Sequence, residues 1–145
     1  MSDYKLQRWM NARGPFGGHQ ANVRKNVSLV DVPRSKYPYT LLLSLIYRNR
    51  AADGTPSDGG EWQRLDRTEE SVAEKFCVEH EALFGMVVTS DWTRDIFLFL
   101  AEALDDGTID TVIQSAKPEV DYRFEIIHDP AWIPYDRILP RNEST

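Results

Sequence analysis

The sequence predicts an α+β fold in which a β-α-β-β-α-β order begins at residue 40, and three observations carry that prediction. A run dense in β-formers, Thr40 to Arg48, lies between Pro38 and the turn-rich NRAADGTPSDGG. From Glu61 the apolar period becomes helical, through Leu65, Val72, Ala73, Phe76 and Cys77. Two short β-rich runs, a second amphipathic segment and an alternating segment then follow in turn.

Residues 1–36 are polar and punctuated. Two strand candidates there, Tyr4 to Met10 and Asn22 to Val30, flank GPFGG at 14–18, which reads as a glycine-rich turn. The expectation is an N-terminal β-hairpin segment, 1–36, packing on a domain formed by 37–145. Thr40 to Arg48 is the first strand of that domain. The helix from Glu61 runs to His80, with the early acids Glu61 and Asp66 toward the positive end of its dipole. Gly85 to Thr89 and Arg94 to Ala101 pair antiparallel through the four residues SDWT. After DDG at 105–107, Ile109, Val112, Ile113 and Ala116 make a short helix that Lys117-Pro118 ends. Finally Tyr122, Phe124 and Ile126 alternate with Arg123 and Glu125, a strand with one wet face near a sheet edge. The order is that of a ferredoxin-like two-layer sandwich with the hairpin added.

In that layout both helices cover one face of the sheet. The two central strands are nevertheless apolar on both sides: Leu41, Leu43 and Leu45 oppose Leu42 and Ile46, and Ile96 and Leu98 oppose Phe97 and Phe99. The second face therefore needs a cover: the N-terminal 36 residues folded back, a second copy of the chain, or a partner protein.

A chain of 145 residues suits one core and needs neither metal nor disulfide. Acids exceed bases by 23 to 17, a net charge of −6, which argues against nucleic acid as a partner. The one basic grouping, Arg24-Lys25 with Arg48 and Arg50, reads as solvated surface. Cys77 is the single cysteine and there is no positively charged start leading into an apolar run, so a reducing, cytoplasmic setting is expected. The apolar runs Leu41 to Ile46 and Ile96 to Ala101 are far short of the about 20 residues that a membrane helix needs, so no membrane span is expected.

No reaction template fits. His19, His80 and His128 have none of the spacings of metal ligands, so no metal and no cofactor are expected. Cys77, on the apolar stripe beside Phe76, reads as core. GPFGGH lacks the GK[ST] ending of a phosphate cradle. The acid pairs Glu69-Glu70, Asp105-Asp106 and Glu79/Glu81 read as solvated faces, and no serine sits in a nucleophile elbow.

The last stretch, HDPAWIPYDRILP at 128–140, carries Asp129-Pro130-Ala131-Trp132, then Tyr135, then Leu139-Pro140. This resembles the D-P-x-W-x-x-Y ending of the domain of unknown function 695 family and of the similar regulator-of-ribonuclease-activity B family. Upstream matches follow in order: Tyr37-Pro38-Tyr39, Asp53-Gly54-Thr55-Pro56, Glu69-Glu70, and Gly85 ahead of Arg94 and an aromatic strand. The resemblance covers residues 37 to 140. The third strand departs from it, with Phe97 and Phe99 where the first family tends to have Tyr. The resemblance implies a ferredoxin-like fold and no established activity; the second family is similar to an inhibitor that binds an endoribonuclease. Physically, Asp129 can turn the chain, Pro130 and Pro134 stiffen it, and Trp132 and Tyr135 form either a structural clasp or an exposed binding patch.

The functional expectation is a non-enzymatic cytoplasmic protein-interaction or regulatory module. Its protein partner would present a basic surface to the acids of the first helix, or be a second copy on the apolar sheet face. Two alternatives are an enzyme or small-ligand binder with a pocket under the N-terminal segment, lined by Trp9, Phe16, His19 and Tyr37, and a bacterial immunity protein.

Overall fold

The computed structural model describes residues 8–16 and 19–137. Among these residues six strands form one antiparallel sheet: β1 (Trp9–Phe16), β2 (His19–Asn26), β3 (Tyr39–Ile46), β4 (Leu83–Ser90), β5 (Thr93–Leu100) and β6 (Asp121–His128). Their spatial order is β1-β2-β4-β5-β3-β6. Three helices accompany them: α1 (Gly59–His80), α2 (Asp106–Ser115) and the short α3 (Ile133–Arg137).

The helices begin where the sequence supplies caps. Asp58 accepts from the Glu61 N–H at 2.7 Å, and Asp105 from that of Thr108 at 2.7 Å. Each helix turns one apolar stripe to the sheet: Leu65, Val72, Ala73 and Phe76 from α1, and Ile109, Val112 and Ile113 from α2. They meet Leu41, Leu43, Leu45, Ile96 and Leu98, all fully buried. Cys77 packs beside this core, and burial pushes its thiol up to about 11.

The N-terminal strands differ from expectation in place. The first is Trp9–Phe16 and not Tyr4 to Met10, of which residues 4–7 lie outside the described residues. The turn is narrower than GPFGG, because Phe16 already pairs with His19 across Gly17 and Gly18, which are also outside the described residues. Pro15 is tolerated in β1 because, among the described residues, that strand pairs with β2 alone. The second strand stops at Asn26 and not Val30. The Asn26 side chain accepts from the Ser28 N–H at 3.0 Å and turns 27–31 into a 3₁₀ segment. Between β4 and β5 the connection is the two residues Asp91 and Trp92, both at positive φ, and not the four of SDWT.

The hairpin does not fold back over the sheet. β2 pairs with β4, from Asn22 against Thr89 to Lys25 against Met86, so β1 and β2 continue the sheet past the helix layer. On the second face Phe99 is covered by two other segments of the chain. Leu29, with Val32 and Tyr37 beside it, comes from one side, and Trp132 and Tyr135 from the tail. Next to them Met86, Val88 and Phe97 are buried with Ala21 and Val23.

Candidate functional site

Because the sheet runs two strands beyond β4 while α1 lies over its centre, a groove opens on the helix side between α1 and the hairpin. It encloses about 900 Å³, within the range of ligand sites. Its base is a charged network drawn from three elements. Arg94, in β5, pairs with Thr89 across the β4–β5 hairpin and donates from Nε to the Thr89 hydroxyl at 2.9 Å. Its Nη1 donates to Asp66 Oδ1 at 2.7 Å and to Glu69 Oε1 at 2.9 Å. The same Glu69 oxygen accepts from Arg24 Nη2 of the hairpin. Arg94 is 3% exposed and Glu69 6%.

This corrects the sequence reading, in which the Glu69-Glu70 pair was a solvated face. Glu69 lies on the buried side of α1, where two guanidinium groups compensate its charge. Glu61 is also buried, accepting from the Asn49 amide at 3.1 Å and from Arg64 at 3.2 Å. Arg24-Lys25 is likewise no free basic surface. Arg24 holds Glu69, and Lys25, only 6% exposed, lies 4.2 Å from the centre of the Tyr135 ring. Burial holds the Lys25 amine below its usual range.

Two indoles wall the groove. Trp62, on the first turn of α1, carries the Arg94 guanidinium 5.5 Å from its ring centre. Trp9, in β1, packs edge-on against Phe84 at 4.8 Å. Asn11, Asn22 and Arg13 form the outer lip, with Arg13 Nε donating to Asn22 Oδ1 at 2.8 Å. A smaller cavity of about 390 Å³ lies around Glu61 and Arg64, whose charged groups are already paired within the chain.

Of the residues singled out in the sequence, Trp9 lines this groove, whereas Tyr37 lies across the sheet beside Leu29 and Trp132. They do not share a pocket. The side chains of Phe16 and His19 lie outside the described residues. Trp132 and Tyr135 are 0% and 1% exposed, so they form a clasp and offer no face to a ligand. Trp132 Nε1 donates to the Tyr37 carbonyl at 2.9 Å and the Tyr135 hydroxyl to that of Asn26 at 2.7 Å. Asp129 turns the chain between β6 and α3: its N–H donates to the Pro38 carbonyl and its carboxylate accepts from the Ile133 N–H. Sequence reasoning passed over Trp62 and the pairing of Arg94 with Glu69. The available signal was Arg94 standing with Asp95 directly ahead of the apolar run Ile96 to Leu100 in the strand TRDIFLFL.

Among the described residues no three of His, Cys, Asp and Glu converge as metal ligands, and no helix is long and apolar enough to cross a membrane. The fold and groove define a mixed α+β domain with an open, aromatic and charged recess at the join of hairpin and helix. The chain belongs to a family of unknown function, DUF695, whose model matches residues 7–139. Neither a curated protein nor a solved structure matches it.

Proposed function

We propose that the chain is a non-enzymatic cytoplasmic interaction module that takes part of a protein partner into the groove between α1 and the β1–β2 hairpin. One observation carries this reading: the buried Arg94–Glu69 pair lies at the base of an open groove walled by Trp9 and Trp62. A buried ion pair is a poor stability device, since a well-packed apolar pair of similar volume is often as stable. A charged base and aromatic walls in one recess are what recognition uses, and tryptophan and arginine dominate binding energetics. Beyond the groove Glu74 and Glu79 are exposed along α1, which favours a partner whose surface around the inserted segment is basic. For the scaffold we propose a ferredoxin-like core of β4, β5, β3 and β6 with α1 and α2, supported by the neighbour order β4-β5-β3-β6 and by both helices packing on one face.

The test is recovery of partners from the native cell with wild type and Trp62→Ala. Trp62 is half-exposed, so the variant should fold, as circular dichroism would verify. Loss of a specific partner from the folded variant supports the reading. An unchanged partner set overturns it.

A further inference from the structure

Three features of the groove define the chemistry of what it takes. First, neither the Trp9 nor the Trp62 indole N–H donates to a described residue, in contrast to Trp132. Thr40 Oγ1 is the one buried side-chain nitrogen or oxygen without a partner among the described residues, so both indole N–H groups remain reachable from solvent. Second, Arg94 uses Nε and Nη1 within the chain, and its Nη2 carries no hydrogen bond to a described residue. Third, among the described residues the charges on the lining balance: Arg13, Arg24 and Arg94 against Asp66, Glu69 and Glu70.

The described part of the groove therefore offers aromatic walls, indole N–H groups open to solvent and no net charge. A polyanion finds no unpaired cationic cluster, and a simple cation no unpaired acidic one. The complement is an uncharged, acceptor-rich, apolar ligand. A proline-rich segment in the polyproline II conformation has that character: its carbonyls have no internal donors, its prolines carry no N–H, and its rings stack on indoles. Glu69 Oε2, which accepts from no described donor, is left for the N–H of a non-proline residue in the same segment. Such a segment is already extended before it binds and so loses little conformational entropy.

We infer that the groove recognises a proline-rich polyproline II segment of a partner protein through the indole N–H groups of Trp9 and Trp62 and the guanidinium of Arg94. This rests on the reading of the groove as the recognition site.

The test uses the full chain labelled with ¹⁵N and a decaproline peptide as probe, following the four indole N–H resonances, with a Gly/Ser peptide of equal length and maltohexaose as comparisons. The expected result is a saturable shift of the Trp9 and Trp62 resonances by decaproline alone, with those of Trp92 and Trp132 unmoved. Trp62→Phe, which keeps the ring and removes the donor, should weaken binding about tenfold. Absence of a saturable shift, a shift of Trp92 in place of the groove indoles, or unchanged affinity in Trp62→Phe would overturn the inference. If maltohexaose and not decaproline moves Trp9 and Trp62, the ligand class is wrong while the groove stands as a binding site. If neither probe moves them and Trp62→Ala retains all cellular partners, both readings fail.

Discussion

Trp132 lies flat on Phe99, with ring centroids 3.9 Å apart and planes 4° from parallel, and this stack closes the second face of the sheet. Tyr135 meets both rings edge-on, at 5.7 Å from Phe99 and 5.5 Å from Trp132. The tail thereby covers the face that the two-sided apolar pattern of β5 left open. Trp132→Ala removes the stack, the hydrogen bond to Tyr37 and a large buried area. It should destabilise the fold by about 3–5 kcal/mol in denaturant unfolding. An unchanged midpoint would mean that the tail is not part of the folded core.

The same stack explains Gly85. A Cβ built there would clash with the edge of the Phe99 ring, and Phe99 cannot retreat because Trp132 lies against its ring. The β4–β5 register also shifts between Phe84 and Met86, a bulge that brings the backbone close to the ring. Gly85→Ala should therefore cost about 1–3 kcal/mol by overpacking. The paired change Gly85→Ala with Phe99→Leu should recover part of that cost, which a double-mutant cycle measures.

The clasp is also tied by charge. Arg34 donates to both carboxylate oxygens of Asp136, at 2.8 and 2.9 Å, and to the Ala131 carbonyl at 2.9 Å. The hydrogen bond from Arg34 holds the Asp136 carboxyl below its usual range. A carboxylate whose pKa is depressed by folding stabilises the native state above its unfolded pKa, about 4, and that contribution is lost as pH falls through the lower folded value. Fluorescence of the Trp132 environment should accordingly change on acidification below about pH 4. Asp136→Asn should show less of that change, and an identical acid profile would assign the transition to other carboxylates. The pair is partly exposed, so its effect on overall stability should be small and reduced by salt.

The order of strands and helices from residue 40 is legible because each element is locally consistent: Leu65, Val72 and Phe76 repeat at helical spacing and Tyr122, Phe124 and Ile126 alternate. The two-sided apolarity of β5 correctly signalled a covered second face. The cover was legible only in part: Leu29 and Val32 belong to the N-terminal 36 residues named as a candidate, but the share taken by Trp132 was not, because Leu29, Phe99 and Trp132 are far apart in sequence and only the tertiary fold joins them. The groove was harder still. Glu69 has the local appearance of any helical acid, and only the crossing of α1 over β5 puts it beside Arg94, 25 residues away. Trp9 was singled out, but its assignment to a pocket with Tyr37 assumed that the hairpin lay over the sheet, whereas it extends the sheet sideways.

The proposed function requires that the buried pair of Arg94 and Glu69 serve recognition more than stability. Breaking the pair by Arg94→Met alone should destabilise by about 3–5 kcal/mol, because Glu69 loses its most buried partner. Replacing both, as Arg94→Met with Glu69→Leu, should bring stability back to within about 1–2 kcal/mol of wild type. The decisive measurement is the affinity of this folded double variant for a partner recovered with the wild-type chain. Binding should fall by at least about tenfold while the melting temperature is close to that of wild type. Wild-type affinity in the double variant would contradict the proposed function and reduce the buried pair to a structural tether between α1 and β5.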